Sequence, residues 1–252
     1  MRLTVVGSSG SYPGPESPSS CYLLEADHEG RTWRVLLDLG NGALGALHRY
    51  TDPLRIDAVL LSHLHADHCL DLCGYYVMRK YHPTGEQPSI PVWGPVGVAA
   101  RMARAYDLPE DPGMTEQFEF QEYAHASVVV GPFTVEPFEV VHPVPAYALR
   151  VTADGRTLTY SGDTAPCEAF DRAAQGADVL LAEASFRVGH DDPPEIHLTG
   201  RDVGRTATAA GVGRVLLTHI PPWHDRRVAV DEARTTWSGP VDLAVPGLVV
   251  EV

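Results

Sequence analysis

Four side chains able to bind a metal fall within six residues, His63-Leu64-His65-Ala66-Asp67-His68, directly behind the apolar run Ile56–Leu61. The run reads as a buried strand. In extended backbone alternate side chains share a face, so His63 and His65 point the same way and can reach one cation. Asp67 and His68 fall where the chain turns into the next helix, Cys69–Tyr81, and face a second position nearby. Imidazole with carboxylate suits Zn²⁺ first, and Mn²⁺ or Fe as alternatives. A chain carrying this run must fold so that a buried strand ends on a pocket of metal ligands.

Three later positions share this strand-end character. His142 follows Phe133–Val141, Asp163 follows Thr157–Ser161, and His219 follows Val215–Thr218. Singly each reads as a polar loop residue; together they supply the ligand count that two metals need, with Asp163 suited to bridge. The remaining grammar alternates strands and helices. Strands are expected at Arg2–Val6, Cys21–Glu25, Trp33–Leu37, Ile90–Trp93, Phe118–Tyr123, Ser127–Val130, Ala148–Ala153, Val179–Glu183 and Val241–Ala244. Helices are expected at Ala43–Tyr50, Val96–Tyr106, Ala169–Gln175, Arg201–Ala210 and Val228–Thr236. Asp154-Gly155 between two apolar runs signals a tight hairpin, and Thr199 three residues before Asp202 signals a capping box. No linker is long enough to split the chain. The pattern predicts one α/β domain over residues 1–252, with two stacked sheets and outer helices.

Composition narrows the function. With 33 acidic against 19 basic residues the net charge is -14, which disfavours extended nucleic-acid binding and leaves a small anion held by metals compatible. Cys21, Cys69, Cys73 and Cys167 form no CxxC pair and read as free thiols of a reducing compartment. The apolar run at the start breaks at Gly7, too short for a signal peptide, and no later stretch reaches the length of a membrane span. The expected location is the cytoplasm.

The order H-x-H-x-D-H, later His, Ser161-Gly162-Asp163-Thr164 and Thr218-His219 resembles the metallo-β-lactamase superfamily along essentially the whole chain. More narrowly it resembles the ribonuclease Z-like branch and, within it, actinobacterial cyclic-nucleotide phosphodiesterases. The residues behind this are Val6-Gly7-Ser8-Ser9-Gly10-Ser11, Leu37-Asp38-Leu39-Gly40, Ser62–Asp71, Ala182-Glu183-Ala184-Ser185-Phe186, Ile196-His197-Leu198-Thr199-Gly200 and Leu217-Thr218-His219-Ile220-Pro221-Pro222-Trp223. The resemblance implies a four-layer αββα sandwich and two divalent metals. It implies that His63, His65 and His142 hold one metal, that Asp67, His68 and His219 hold the other, and that Asp163 bridges them. Glu183 and His197 look like the branch's auxiliary pair, the carboxylate orienting the imidazole towards a substrate phosphate. Asp38 fits two roles equally, a turn residue before Gly40 or an outer carboxylate orienting a ligand histidine. The resemblance also implies a homodimer.

These residues point to phosphodiester hydrolysis, with Asp67 orienting or deprotonating the attacking water and His197 donating to the leaving oxygen. Transfer-RNA-processing ribonucleases of the branch carry a protruding arm between the motif histidine and the bridging aspartate. Here only twenty residues separate His142 from Asp163. The short gap and the acidic charge favour a small substrate, 3′,5′-cyclic AMP, over a tRNA precursor. A ribonuclease Z-like endonuclease and a non-catalytic metal-binding regulator are the competing readings, and hydrolysis of a β-lactam or thioester a weaker one. The segment Phe186–Ile196, with Arg187, His190 and Pro193-Pro194, reads either as a solvated loop or as a border of the site. His82 and His224 follow no ligand pattern, and Trp223 fits a nucleobase cover or a packing corner equally well.

Overall fold

Alternation of apolar side chains along each strand decides how this chain is layered. The computed structural model describes residues 1–124, 126–190, 193 and 196–252. The first half runs β1 (Arg2–Gly7), β2 (Cys21–His28), β3 (Arg31–Leu37), α1 (Ala43–Leu47), β4 (Ala58–Leu60), α2 (Ala66–Cys69), α3 (Leu72–Lys80), β5 (Ile90–Gly94), α4 (Val98–Ala105) and β6 (Phe118–Glu122). The second runs β7 (Val128–Val130), β8 (Phe133–Val140), β9 (Ala146–Ala153), β10 (Arg156–Tyr160), α5 (Glu168–Ala174), β11 (Val179–Glu183), α6 (Gly200–Ala210), β12 (Arg214–Thr218), α7 (Arg226–Arg234), β13 (Val241–Leu243) and β14 (Val249–Glu251).

Two seven-stranded sheets result, ordered β14-β1-β2-β3-β4-β5-β6 and β13-β12-β11-β10-β9-β8-β7. In each, the pairing is antiparallel on one side and parallel on the other, changing at β3 in the first sheet and at β10 in the second. Leu3, Val5, Tyr22 and Leu24 of one sheet meet Val151, Leu158, Leu181 and Leu216 of the other in a buried middle layer. The neighbouring side chains point the opposite way, as the pleat requires. Leu23, Leu36 and Val59 pack with Leu47, Tyr75 and Met102 of the first-half helices, while Leu180, Val215 and Leu217 pack with Phe170, Val203 and Ala233 of the second-half helices. The layering is therefore helix, sheet, sheet, helix, the α/β sandwich expected. Parallel strands covered on both faces read as unbroken apolar runs, which is why β11 and β12 were plain in the sequence.

Some element boundaries depart from expectation, and tertiary hydrogen bonds explain the main one. The helix expected over Cys69–Tyr81 is two pieces, because Asp71 turns away to accept from Leu44 N at 2.8 Å while its own N–H bonds Leu39 O. The helix expected over Ala43–Tyr50 stops at Leu47. The tail carries a strand that was not expected: β14 pairs antiparallel with β1, Val250 opposite Leu3. At the β9–β10 turn Asp154 (φ 53°) and Gly155 (φ 73°) both take positive φ, as a two-residue hairpin demands. The capping box forms, Thr199 Oγ1 accepting from Asp202 N and Asp202 Oδ2 accepting from Thr199 N. All four cysteines are free thiols. Among the described residues no helix is long and apolar enough to cross a membrane.

Candidate metal centre

Ligand-type side chains gather where strands of both sheets end. From the first sheet, Asp38 follows β3, His63 and His65 occupy the turn between β4 and α2, and Asp67 and His68 lie in α2. From the second, His142 follows β8, Asp163 follows β10, Glu183 closes β11 and His219 follows β12. Ligand atoms of His63, His65, His142 and Asp163 lie within 4.8 Å of one another, as do those of Asp67, His68 and His219. The side chains singled out in the sequence, far apart along the chain, thus converge on one place.

Four of the five imidazoles, those of His63, His68, His142 and His219, are anchored on their outer side. His68 Nδ1 donates to Asp38 Oδ2 at 2.7 Å, and His142 Nδ1 to the Ile196 carbonyl at 3.0 Å. Ser62 Oγ spends its proton on Asp38 Oδ2, so His63 Nδ1 donates to that hydroxyl at 3.1 Å. Ser185 Oγ likewise donates to the His219 carbonyl and accepts from His219 Nδ1 at 2.8 Å. These anchors leave bare inner nitrogens, and the nitrogens face one another. His63 Nε2 stands 3.0 Å from His65 Nδ1, His142 Nε2 3.2 Å from the same atom, and His68 Nε2 3.1 Å from His219 Nε2. Lone pairs converging in this way have a common partner in a cation, and anchored outer nitrogens are what ligand histidines need.

Asp163 lies between the two groups. Its Oδ1 is 3.3 Å from His68 Nε2 and 3.5 Å from His219 Nδ1, while Oδ2 is 3.6 Å from His63 Nε2. Asp67 Oδ2 lies 3.1 Å from His219 Nε2 and 3.5 Å from His68 Nε2.

The electrostatics call for added positive charge. Asp38, Asp67, Asp163 and Glu183 are all buried, and among the described residues no lysine or arginine bonds any of them. Buried carboxylates without cationic partners are costly. Histidine carries the compensation alone: burial opposes a charge on His68, yet Asp163, Asp67 and Asp38 raise it well above the ordinary imidazole value. Burial also works against ionising Asp163 and Asp67, but the surrounding histidines, His219 and His68 foremost, hold both carboxyls below their usual range. On the other side burial keeps His63, His65 and His142 neutral, the form a metal ligand needs. Asp163 Oδ1 is buried without a hydrogen bond. Neutral imidazoles at His63, His65 and His142, ionised carboxylates and an unbonded oxygen fit a divalent metal, whose charge would take the place of the proton on His68.

Beside this cluster, His197 Nδ1 sits 2.9 Å from Glu183 Oε1 and 4.0 Å from Asp163 Oδ2. Burial alone would lower its pKa, but Glu183 outweighs that and holds it up at about 9. Glu183 is itself fixed by Thr164 N and Ser185 N, and the cap at Thr199 fixes the chain just after His197. Asp38 proves to be more than a turn residue. Its carboxylate accepts from Ser62 N, Ser62 Oγ, His68 Nδ1 and Tyr160 OH, all between 2.7 and 2.8 Å.

The His82 imidazole bonds Thr84 and His224 accepts from Trp223 Nε1, and among the described residues neither belongs to a group of ligand-type side chains. Trp223 is 60% exposed and tilted against Tyr12 at 5.4 Å. Phe186, Arg187, His190 and Pro193 line a cavity together with His197, so the segment borders the site, although Pro194 lies outside the described residues. The sequence reading missed three supporting residues: Ser62, Ser185 and Tyr160. Ser62 and Ser185 stood inside the quoted motifs, but a serine gives no signal of which imidazole it anchors.

The profile of the Beta-lactamase superfamily domain matches residues 33–220. The chain belongs to the metallo-β-lactamase superfamily. It is 42% identical to the uncharacterized protein Rv1339 of Mycobacterium tuberculosis over 256 aligned positions, covering 100% of this chain and 92% of the relative. It is 29% identical to the probable metallo-hydrolase YhfI of Bacillus subtilis, with all of both chains covered over 257 positions. The crystal structure of YhfI superposes with a TM-score of 0.88 over 99% of each chain, at 27% identity. A ribonuclease Z of Myxococcus xanthus is 29% identical over 314 positions, covering 100% of this chain and 98% of the relative. The chain is a hydrolase with a metal-binding His/Asp cluster.

Proposed function

We propose that this metallo-hydrolase is a dinuclear phosphodiesterase acting on a small phosphodiester, with 3′,5′-cyclic AMP as the preferred substrate. The observation that carries the reading is the His197–Glu183 pair, 2.9 Å apart and beside Asp163. A protonated imidazole braced by a buried carboxylate is suited to meet a phosphate and its leaving oxygen, and a β-lactam or thioester site has less use for it. In this reading His63, His65 and His142 hold one metal, Asp67, His68 and His219 hold the other, and Asp163 reaches both. Zn²⁺ is the first choice for these donors. When bound, the metals supply Lewis-acid charge for the phosphoryl oxygens and lower the pKa of water.

The protein's own groups do the rest. Asp67, beside His219, orients the attacking water and accepts its proton. His197, with Nδ1 engaged by Glu183, donates from Nε2 to the sugar oxygen as the P–O bond breaks. Three supports favour a small substrate. The span from His142 to Asp163 is filled by the β9–β10 hairpin and its connections, with no arm. The net charge is -14. Aligning Myxococcus ribonuclease Z takes 314 positions against a chain of 252 residues, so at least 62 belong to the ribonuclease alone.

Purified protein loaded with Zn²⁺ or Mn²⁺ is expected to hydrolyse cyclic AMP faster than it trims a tRNA precursor. Trimming without cyclic-nucleotide turnover would establish the ribonuclease Z-like reading, which the 29% identity favours. Full metal loading without activity on any phosphodiester would establish the regulator. The homodimer and the cytoplasmic location belong to the same proposal; sedimentation and fractionation test them.

A further inference from the structure

A cavity of about 380 Å³ opens on the His65 side of the centre. Leu64, His65, Ala66, Val96, Arg101 and Val144 are among the residues that line it. It is concave and largely apolar, and it shares a wall with a ligand-type histidine. Val96, which lines it, is 66% exposed, so apolar surface faces outward here.

Arg101, projecting from α4, is half-buried in the wall. Among the described residues its guanidinium has no ion pair and no hydrogen-bond acceptor. Its neighbour in the same cavity, Arg104, is by contrast tied to Glu110 at 2.8 Å. An arginine left unpaired in a chain with net charge -14 stands ready to donate to a group from outside. The occupant must therefore have a flat apolar body of nucleoside size and an acceptor at its edge. A purine base has both, its ring N7 being the acceptor that adenine and guanine share.

We propose that the purine base of the substrate lodges in this cavity, between Leu64, Val96 and Val144, with Arg101 donating to the ring. The assignment rests on the phosphodiesterase reading, in which the phosphate lies at the metal centre and places the sugar at the cavity mouth. The exposed Tyr12–Trp223 pair offers another stacking surface, but its rings already lie against each other.

The test uses the metal-loaded protein and three variants, Arg101→Ala, Val96→Trp and Trp223→Ala. Cyclic AMP turnover is measured beside turnover of methyl p-nitrophenyl phosphate, a phosphodiester without a base, and adenosine binding is followed by calorimetry. Loss of one hydrogen bond from a charged donor raises KM for cyclic AMP about tenfold in Arg101→Ala, with kcat within about twofold, because the contact is the same in ground and transition states. Val96→Trp fills the cavity and does the same. Both variants weaken adenosine binding by a similar factor and leave the base-free substrate unaffected. Unchanged KM and adenosine affinity in both variants would overturn the assignment, as would Trp223→Ala reproducing the effect in their place. If no phosphodiester is hydrolysed the phosphodiesterase reading fails by itself, and the calorimetry still reports on the cavity.

Discussion

The two halves of this molecule share an architecture and deliver their functional groups in different ways. Each half is built on a seven-stranded sheet, the first completed by β14 from the tail, and in each the pairing changes from antiparallel to parallel midway. The first sheet supplies His63, His65, Asp67 and His68 from one short stretch, the β4–α2 turn and α2 itself, braced by Asp38. The second supplies His142, Asp163, Glu183 and His219 one at a time, from the ends of β8, β10, β11 and β12, with His197 from the loop before α6. The first cluster is set by local backbone geometry; the second exists only when four strands are in register. In the proposed mechanism the first half contributes metal ligands and Asp67, which orients the water, whereas the second contributes metal ligands and the proton donor His197.

This contrast makes predictions that separate metal loss from chemistry. The largest effect belongs to Asp163, which serves both groups: Asp163→Ala lowers turnover by roughly 10³–10⁴-fold and removes bound metal, as read by elemental analysis of the dialysed protein. His63→Ala in the first half matches it in both respects. Next comes His197→Ala, expected to cost about 10²-fold in kcat while metal content stays at the wild-type value. Metal lost along with activity in that variant would erase the distinction between the halves. Asp38→Asn follows, with metal affinity down by about 10- to 100-fold, since His68 loses the carboxylate that orients it. The smallest effect is on pH dependence. His197 is held at about 9 against an ordinary 6.5, so its proton is present below that pH and lost above it. Activity should therefore fall on the alkaline side with a midpoint near 9, and Glu183→Gln should move that midpoint downward, in a pH–rate profile of kcat.

The same contrast explains what could be read in advance. H-x-H-x-D-H was legible because its geometry is local, and the scattered ligands became legible through the order of motifs along the chain. The layering followed from apolar runs dense enough to need cover on both faces. Asp38 stayed ambiguous because a turn residue and an outer carboxylate look alike until a histidine from 30 residues away arrives at 2.7 Å. Tyr160, aimed at the same carboxylate from 122 residues away, carried no signal at all. The break between α2 and α3 was hidden for a related reason: a helix propensity that continues through Leu70 is overruled by hydrogen bonds to the segment after β3. Strand β14, three residues behind Pro246-Gly247, was too short to stand out.

Gly162 is one of the places where the halves meet closely. It takes φ of 57°, and a side-chain carbon there would come within 2.8 Å of Ser62 Cβ and of the Tyr147 carbonyl. Ser62 immediately precedes His63, and Gly162 immediately precedes Asp163. The two ligand loops are thus set back to back, with no room for a methyl group between them. Directed evolution of this enzyme would meet that constraint as epistasis: libraries that vary one loop alone should yield few active clones, and productive changes at 62 and 162 should arise as pairs.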